Sequence, residues 1–167
     1  KCSKCKNSIS WQYPLVEIWT GLIFATVPYV FIPVFCIYVV IAIYDFKHKI
    51  IPDLLVYTAI FLSVVGRFMS VSSTLDWLAG PILFIFFGSI WLLSRGRAMG
   101  FGDAKLGLSI GLLLGATQSF SAIVLAFWIG ASSSLLYIFL NKIGFLKNDY
   151  GLTMKSEVPF APFMILG

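Results

Sequence analysis

The sequence predicts an all-α, polytopic membrane protein: a helical bundle with about six full or short spans and the start of a seventh. Two observations predict it. Hydrophobic residues make up 59% of the 167 residues and charged residues only 11%, whereas about a quarter of the residues in a typical soluble domain are charged. The apolar residues also fall into runs separated by short polar segments, and roughly 20 consecutive apolar residues form a membrane-spanning helix.

The net charge of +5 does not indicate a nucleic-acid partner. The 12 basic residues are scattered between the apolar runs and form no basic, aromatic-lined face. Their placement instead follows the rule that cytoplasmic loops of membrane proteins are enriched in Lys and Arg. We therefore expect contact with a lipid bilayer and no nucleic acid.

The first long apolar run, from Ile18 to Tyr44, has 27 residues without a charge. This is long for one span and short for two. Pro28 and Pro33 interrupt the run near its middle, where proline breaks or kinks a helix. We predict a tight hairpin of two short or tilted helices; a single long, kinked helix is the alternative.

Four further apolar runs follow in order. They lie at about 52–66, 77–93, 104–114 and 120–140, and a seventh begins at 158. The polar segments at 45–51, 67–76 and 141–157 are predicted to be loops.

The basic residues predict the orientation in the membrane. With the hairpin, one side carries eleven of them and the other side carries Arg67 alone. The eleven are Lys1, Lys4, Lys6, Lys47, Lys49, Arg95, Arg97, Lys105, Lys142, Lys147 and Lys155. The richer side should be cytoplasmic. The count also favours the hairpin, because a single helix would separate the Lys-rich N-terminal segment from the loop at 45–51.

Asp45 and Asp103 are acidic residues at the edges of apolar runs, and an ionisable group at such a position is a functional hypothesis by default. We interpret them as a catalytic pair at the cytoplasmic face of a membrane protease. Asp45 is predicted at a helix C-terminus, where an anion is disfavoured; the alternative is a loop aspartate paired with Lys47 or Lys49. The alternative for Asp103 is the N-cap of a helix that begins at Ala104.

Gly100 and Gly102 precede Asp103 closely, and an N-cap does not explain them. Glycine permits unusual backbone angles and the close approach of another chain. A protease binds an extended peptide beside its acids. The two glycines are therefore candidates for substrate binding through backbone approach.

Two carboxylates that share one proton can hydrolyse a peptide bond without a metal or a nucleophilic side chain. One acts as a base on water while the other polarises the carbonyl. The predicted helix ends suggest an order: Asp103, at an N-terminal end, should ionise more readily, and Asp45 should hold the proton longer. Such a peptidase is expected to need no cofactor.

Other residues give weaker signals. Cys2 and Cys5 form a CxxC, which is half of a tetrahedral zinc site and also the spacing of a redox pair. Asp53 fits the first turn of a helix, and Asp76 is expected to be a solvated loop charge. Lys105 is expected to extend its amine to the membrane interface.

Residues 45–53 and 100–106 resemble two signatures of the type IV prepilin peptidases. The first matches D-x5-I-P-D and the second matches G-x-G-D-x-K-L. Residues 8–17 resemble the segment that follows the cysteine motif of this family, and residues 159–167 resemble its final P-F-x-P-F-L-x-x-G span. The four segments occur in the order of the family and cover nearly the whole chain.

The resemblance implies an aspartic endopeptidase of the G-x-G-D class in which Asp45 and Asp103 are catalytic. Its substrates would be prepilins or pseudopilins, cut at the cytoplasmic side of the bacterial inner membrane between a short basic leader and a hydrophobic helix. Many members then methylate the new N-terminus with S-adenosylmethionine, and in them two CxxC pairs bind zinc. Only one such pair, Cys2 and Cys5, is present here. Zinc and S-adenosylmethionine are therefore expected only together with an upstream part of the protein.

The expected organisation is a remnant of the cytoplasmic zinc-binding region at 1–14 and a membrane-embedded peptidase domain at 15–167, truncated at its C-terminus. Two rival functions stay open at this stage. One is a polytopic secondary transporter that uses the aspartate pair as a proton or cation site, and the other is a membrane scaffold with a zinc-binding head. A transporter more often shows two related halves, and the sequence shows no internal repeat.

Overall fold

The computed structural model describes residues 12–70, 73–97, 99–142 and 160–166. The described residues form seven α-helices and contain no strand, so the all-α prediction is confirmed. The helices are α1 (Gln12–Thr26), α2 (Ile32–His48), α3 (Asp53–Met69), α4 (Thr74–Leu93), α5 (Phe101–Leu114), α6 (Ala116–Lys142) and α7 (Ala161–Leu166).

The first apolar run forms two helices that pack against each other, as the hairpin prediction requires. The chain leaves the helical conformation at residues 27–31, around Pro28. Pro33 lies in the first turn of α2, where the missing N–H group would have no partner within the helix in any case. The alternative of one long, kinked helix is wrong.

Two stretches, Thr74–Leu93 and Ala116–Leu136, are long and apolar enough to cross a membrane. The helices α2 and α3 have 17 residues each and are about 25 Å long at 1.5 Å per residue, slightly less than the hydrocarbon core of ~30 Å. Large apolar side chains cover the outside of the bundle; Phe61, Phe68 and Trp128 are at least 66% exposed. Such an exterior fits lipid, and the fold is a helical membrane bundle.

Helix α5 lies at the centre and packs along both α4 and α3. Its backbone comes very close to that of α4, because a Cβ atom on Gly111 would lie 2.7 Å from Cα of Gly80. One turn earlier, a Cβ atom on Gly107 would lie 2.8 Å from the ring of Phe87. Small residues allow helices to approach closely in membranes, so these glycines hold α5 against α4.

A buried polar contact joins three helices inside the bundle. The hydroxyl of Ser109 on α5 lies 2.8 Å from the hydroxyl of Tyr38 on α2 and 3.0 Å from that of Ser63 on α3. All three residues are almost completely buried. Buried polar groups are stable when they are hydrogen-bonded, and these bonds fix the relative positions of α2, α3 and α5.

Arg67 lies in the last turn of α3 and is buried, rather than in a polar loop as predicted. Its Nε donates to the carbonyl oxygen of Leu112 at 2.8 Å, and its Nη2 donates to that of Leu113 at 3.1 Å. The last carbonyls of a helix have no partner within the helix. The guanidinium therefore caps the C-terminal end of α5.

Asp76 lies in the first turn of α4 and is not the solvated loop charge that the sequence predicts. Its Oδ1 accepts from the backbone N–H of Ala116, at the start of α6. Its Oδ2 accepts from the backbone N–H and the hydroxyl of Ser73. Gly115 links α5 to α6 with a φ of +81°, and a Cβ there would lie 2.9 Å from Nη2 of Arg67.

Three other predicted boundaries differ from the structure. Helix α2 continues to His48, so most of the predicted loop at 45–51 is helical. Helix α5 begins at Phe101 rather than Ala104, and α6 begins at Ala116 rather than Phe120. Most of the loop predicted at 141–157 lies outside the described residues.

Candidate active site

Asp45 lies in the last turn of α2 with 5% of its surface exposed. The helix ends because Lys49 adopts the left-handed conformation, with a φ of 54°, and donates its backbone N–H to the carbonyl oxygen of Asp45 at 2.7 Å. The chain then turns through residues 50–52 into α3. Asp45 is therefore held on a helix whose end is firmly defined.

Asp103 is the third residue of α5 and is 7% exposed. The N-cap is Gly100, so the alternative in which Asp103 is itself the N-cap is wrong. The backbone N–H of Asp103 donates to the carbonyl oxygen of Gly100 at 3.2 Å. The side chain of Asp103 in turn accepts from the backbone of Gly100, which is the arrangement of an acid in the first turn of a helix.

The two glycines have different surroundings. Neither glycine has a backbone conformation that requires glycine: Gly100 has a φ of −73° and a ψ of 149°, and Gly102 is helical. A Cβ atom on Gly102 would lie 2.9 Å from Cβ of Ile51, whereas a Cβ on Gly100 would meet nothing closer than Oδ2 of Asp103 at 3.7 Å. The close approach at Gly102 is therefore made by this chain itself. Gly100 leaves exposed backbone beside the carboxylate, and its contact with substrate stays a prediction.

The structure brings Asp45 and Asp103 into one site. Asp45 directly follows the apolar run that ends at Tyr44, and Asp103 directly precedes the apolar run that begins at Ala104. Burial and the negative charge of Asp45 raise the pKa of Asp103 to about 7. Burial also raises the pKa of Asp45, against the effect of a hydrogen bond from the backbone of Ala161 on α7.

Each carboxylate also has an oxygen with no hydrogen-bond partner among the described residues, Oδ2 of Asp45 and Oδ1 of Asp103. A buried polar atom without a partner costs free energy, which makes these two oxygens candidates for contact with water or substrate. Such unpaired groups are rare in proteins and call for a functional explanation.

The order of ionisation suggested by the helix ends depends on a small effect. The helix terminus favours the charged form of Asp103, but a surface helix dipole contributes only about 0.3–1 kcal/mol. Burial and repulsion act in the opposite direction on the pKa of Asp103 and dominate it. Burial acts on the pKa of Asp45 in the same direction, so which of the two acids ionises first stays a prediction.

A second polar contact lies beside the aspartates. Nζ of Lys105 donates to Oδ1 of Asp53 at 2.6 Å, and it lies 5.0 Å from the ring centre of Tyr57 and 5.3 Å from that of Phe101. Lys105 thus binds a partner instead of extending freely to the interface. This pair was not predicted from the sequence, although Asp53 lies in the same signature as Asp45 and Lys105 in the same signature as Asp103.

The described residues contain no group of three or more His, Cys, Asp or Glu side chains that could hold a metal ion. Cys2 and Cys5 lie outside the described residues, as does nearly all of the predicted region at 1–14. The described part of the chain therefore offers no site that fits zinc, and zinc binding by Cys2 and Cys5 stays a prediction.

Comparison with known sequences connects this geometry to a family. The sequence model of the type IV leader peptidase family matches residues 30–135. The chain belongs to the type IV leader peptidase family. The model of the bacterial peptidase A24 N-terminal domain matches residues 1–31, so the two models meet well inside the predicted domain at 15–167. The predicted boundary after residue 14 stays a prediction.

Curated relatives of this chain are named prepilin leader peptidase/N-methyltransferase. The relative from Dickeya chrysanthemi is 25% identical over 96% of this chain and 59% of its own length. The relative from Pectobacterium carotovorum is 28% identical over 98% of this chain and 61% of its own length, and that from Bacillus subtilis is 25% identical over 100% and 68%. The chain spans about three fifths of the length of the first relatives. No solved structure matches the chain.

Proposed function

We propose that this chain is part of an aspartic endopeptidase that removes the short basic leader from type IV prepilins or pseudopilins, with Asp45 and Asp103 as its catalytic residues. The observation that carries the proposal is the buried pair of carboxylates, each with one oxygen that has no partner in the described residues. The names of the relatives support the substrate class. Membership of a peptidase family disfavours the transporter alternative.

The chemistry follows from the different surroundings of the two acids. Asp45, ionised, accepts a proton from a water molecule held between the carboxylates. The water oxygen forms a bond to the carbonyl carbon of the peptide while Asp103, protonated, donates a hydrogen bond to the carbonyl oxygen. When the tetrahedral intermediate collapses, the C–N bond breaks and the proton taken up by Asp45 passes to the leaving amine.

The proposed reaction takes place at the cytoplasmic side of the bacterial inner membrane. Eleven of the 12 basic residues are expected on the side of the membrane that carries the aspartates, which supports this orientation. The hydrophobic helix of the substrate would lie in the bilayer while its leader faces the cytoplasm. In the whole protein, N-methylation with S-adenosylmethionine and zinc binding by Cys2 and Cys5 with a second CxxC are further proposals.

The test is prepilin processing by the full-length protein in lipid nanodiscs. We expect Asp45→Asn and Asp103→Asn each to reduce kcat on the order of 10³-fold, because neither acid can replace the other. The control Glu17→Gln removes an exposed acid of α1 and should keep wild-type activity. Near-normal processing by either Asn variant would refute the proposed pair.

A further inference from the structure

The segment that leads from α2 into the start of α3 contacts the first two turns of α5 at two points. We propose that these two contacts, which together form a clamp, set the separation of Asp45 and Asp103. One point is Ile51 against Gly102, and the other is the ion pair between Asp53 and Lys105. Asp53 and Lys105 are thus positioning residues. The kinetic consequence of the clamp depends on the function proposed above.

The clamp is needed because α2 and α5 make little direct backbone contact, whereas α3 packs against both. Tyr38 and Ser109 join α2 and α5 by a hydrogen bond, but they lie seven and six residues from the two aspartates. The ends of α2 and α5 therefore take their relative position largely from the segment that leads into α3.

The apolar point of the clamp leaves no space for adjustment. Cβ, Cδ1 and Cγ1 of Ile51 lie 2.9, 3.2 and 3.4 Å from the position that a Cβ on Gly102 would occupy. Ile51 is also packed against the hydrophobic core. Because Gly102 directly precedes Asp103, the contact determines how close this segment comes to the catalytic turn of α5.

The ionic point is better defined than an ordinary surface pair. Exposed ion pairs contribute little to stability, and the side chain of Asp53 is indeed 65% exposed. The side chain of Lys105, however, is only 14% exposed, and the rings of Tyr57 and Phe101 lie beside its ammonium group. Cation–π attraction to the two rings favours this position of the amine, and its bond to Asp53 joins the start of α3 to α5.

Because Asp53 and Lys105 have opposite charges, an experiment can distinguish the clamp from a direct electrostatic effect of either residue on the catalytic pair. Asp53→Asn removes a negative charge and Lys105→Met removes a positive one, so their direct effects on the pKa values of the catalytic pair have opposite signs. Loss of the clamp has the same effect in both variants, because each one breaks the same bond. Apart from the pair itself, α1 to α5 carry the following charged or titratable side chains: Tyr13 and Glu17 of α1, Cys36, Tyr38, Tyr44, Lys47 and His48 of α2, Asp53, Tyr57 and Arg67 of α3, Asp76 of α4 and Lys105 of α5. Helix α7 carries none.

The experiment uses the full-length protein in lipid nanodiscs and has two readouts. One is kcat and KM for prepilin processing; the other is an infrared titration of the carboxyl groups without substrate, assigned with the Asp45→Asn and Asp103→Asn variants. A displacement of about 1 Å can reduce a rate by as much as ~10²-fold. We expect Asp53→Asn and Lys105→Met each to reduce kcat about 10- to 100-fold, with KM changed by less than about threefold.

In the infrared titration, the two carboxyl groups of the pair ionise in two steps. The difference in pH between these steps, called the interval below, should be smaller in both single variants, because carboxylates that are further apart repel each other less. The exchanged pair Asp53→Lys with Lys105→Asp, and independently Lys105→Arg, should recover much of kcat and of the interval. Arg97→Met, which removes an exposed positive charge, should behave like the wild type.

The clamp is refuted if the two single variants shift the carboxyl steps in opposite directions, or if both keep the wild-type kcat and interval. If the wild-type protein does not process prepilins, the proposed function fails instead. The interval between the carboxyl steps then still decides whether Asp53 and Lys105 position the pair.

Discussion

The negative charge of Asp45 acts on the buried carboxyl of Asp103 and, together with burial, raises its pKa to about 7. Removing that charge should therefore lower the pKa of Asp103. In Asp45→Asn we expect this pKa to fall below 7 but to stay above the ordinary value of about 3.9, because burial is the larger cause of the shift. An infrared or NMR titration of Asp103 measures it, and an unchanged or higher pKa would contradict the coupling.

The raised pKa of Asp103 also predicts how stability depends on pH. Between about pH 4 and pH 7 the folded protein keeps a proton on Asp103 that the unfolded chain has lost, so the free energy of unfolding should fall as the pH rises through this range. Asp103→Asn removes the effect. We expect the Asn variant to have a Tm several degrees above that of the wild type at pH 8 and a similar Tm at pH 4; parallel Tm profiles would contradict the assignment.

Local sequence signals predicted much of the fold and both catalytic candidates. The break in the first apolar run followed from Pro28 and Pro33, and Asp45 and Asp103 were found because charges at span edges are costly. The contacts that join distant segments were not predicted. Arg67 and Leu112 are 45 residues apart, and Asp53 and Lys105 are 52 residues apart. Helix and loop patterns relate only residues that are close in sequence, so they do not predict these contacts.

The protonation of the two aspartates is a second property that the sequence alone does not predict. A helix end can be predicted from local residues, but burial depends on the whole bundle. Ala161 follows Asp45 by more than a hundred residues, yet its backbone donates to that carboxylate. The weaker local effect was visible in the sequence and the stronger tertiary one was not.

Gly102 and Gly100 should respond differently to alanine. In Gly102→Ala the new Cβ would displace Ile51, since it would lie 2.9 Å from Cβ of that residue. We expect a loss of roughly 1–3 kcal/mol in the free energy of unfolding and at least a ~10-fold loss of kcat from the displaced acids. Thermal unfolding and prepilin processing measure the two effects.

Gly100→Ala is the matched comparison, because its Cβ would meet no atom closer than 3.7 Å. It should keep the wild-type Tm. If Gly100 forms part of the substrate surface, as the sequence predicts, the KM for prepilin should rise. Equal destabilisation by the two variants would contradict the difference in their surroundings.

Arg67 should be sensitive even to a conservative change. Lysine keeps the charge but cannot donate from two nitrogens to the carbonyls of Leu112 and Leu113 as Nε and Nη2 do. We expect Arg67→Lys to reduce the free energy of unfolding by about 1–3 kcal/mol, since it leaves a buried carbonyl unpaired. Arg95→Lys, at an exposed position, is the control, and equal Tm values for the two variants would contradict the cap.

The last prediction concerns the close contact between α4 and α5. A Cβ on Gly111 would lie 2.7–2.8 Å from backbone atoms of Gly80 and Ala79, and a backbone cannot rotate away as a side chain can. We expect Gly111→Ala to separate the helices and to cost about 1–3 kcal/mol of stability. Gly88→Ala on α4 adds a Cβ into open space and should be neutral or stabilising by up to ~1 kcal/mol. Because α5 also carries Asp103, a loss of prepilin processing in Gly111→Ala should accompany its lower Tm. Equal changes in Tm for Gly111→Ala and Gly88→Ala in thermal unfolding would refute the close packing of α4 and α5.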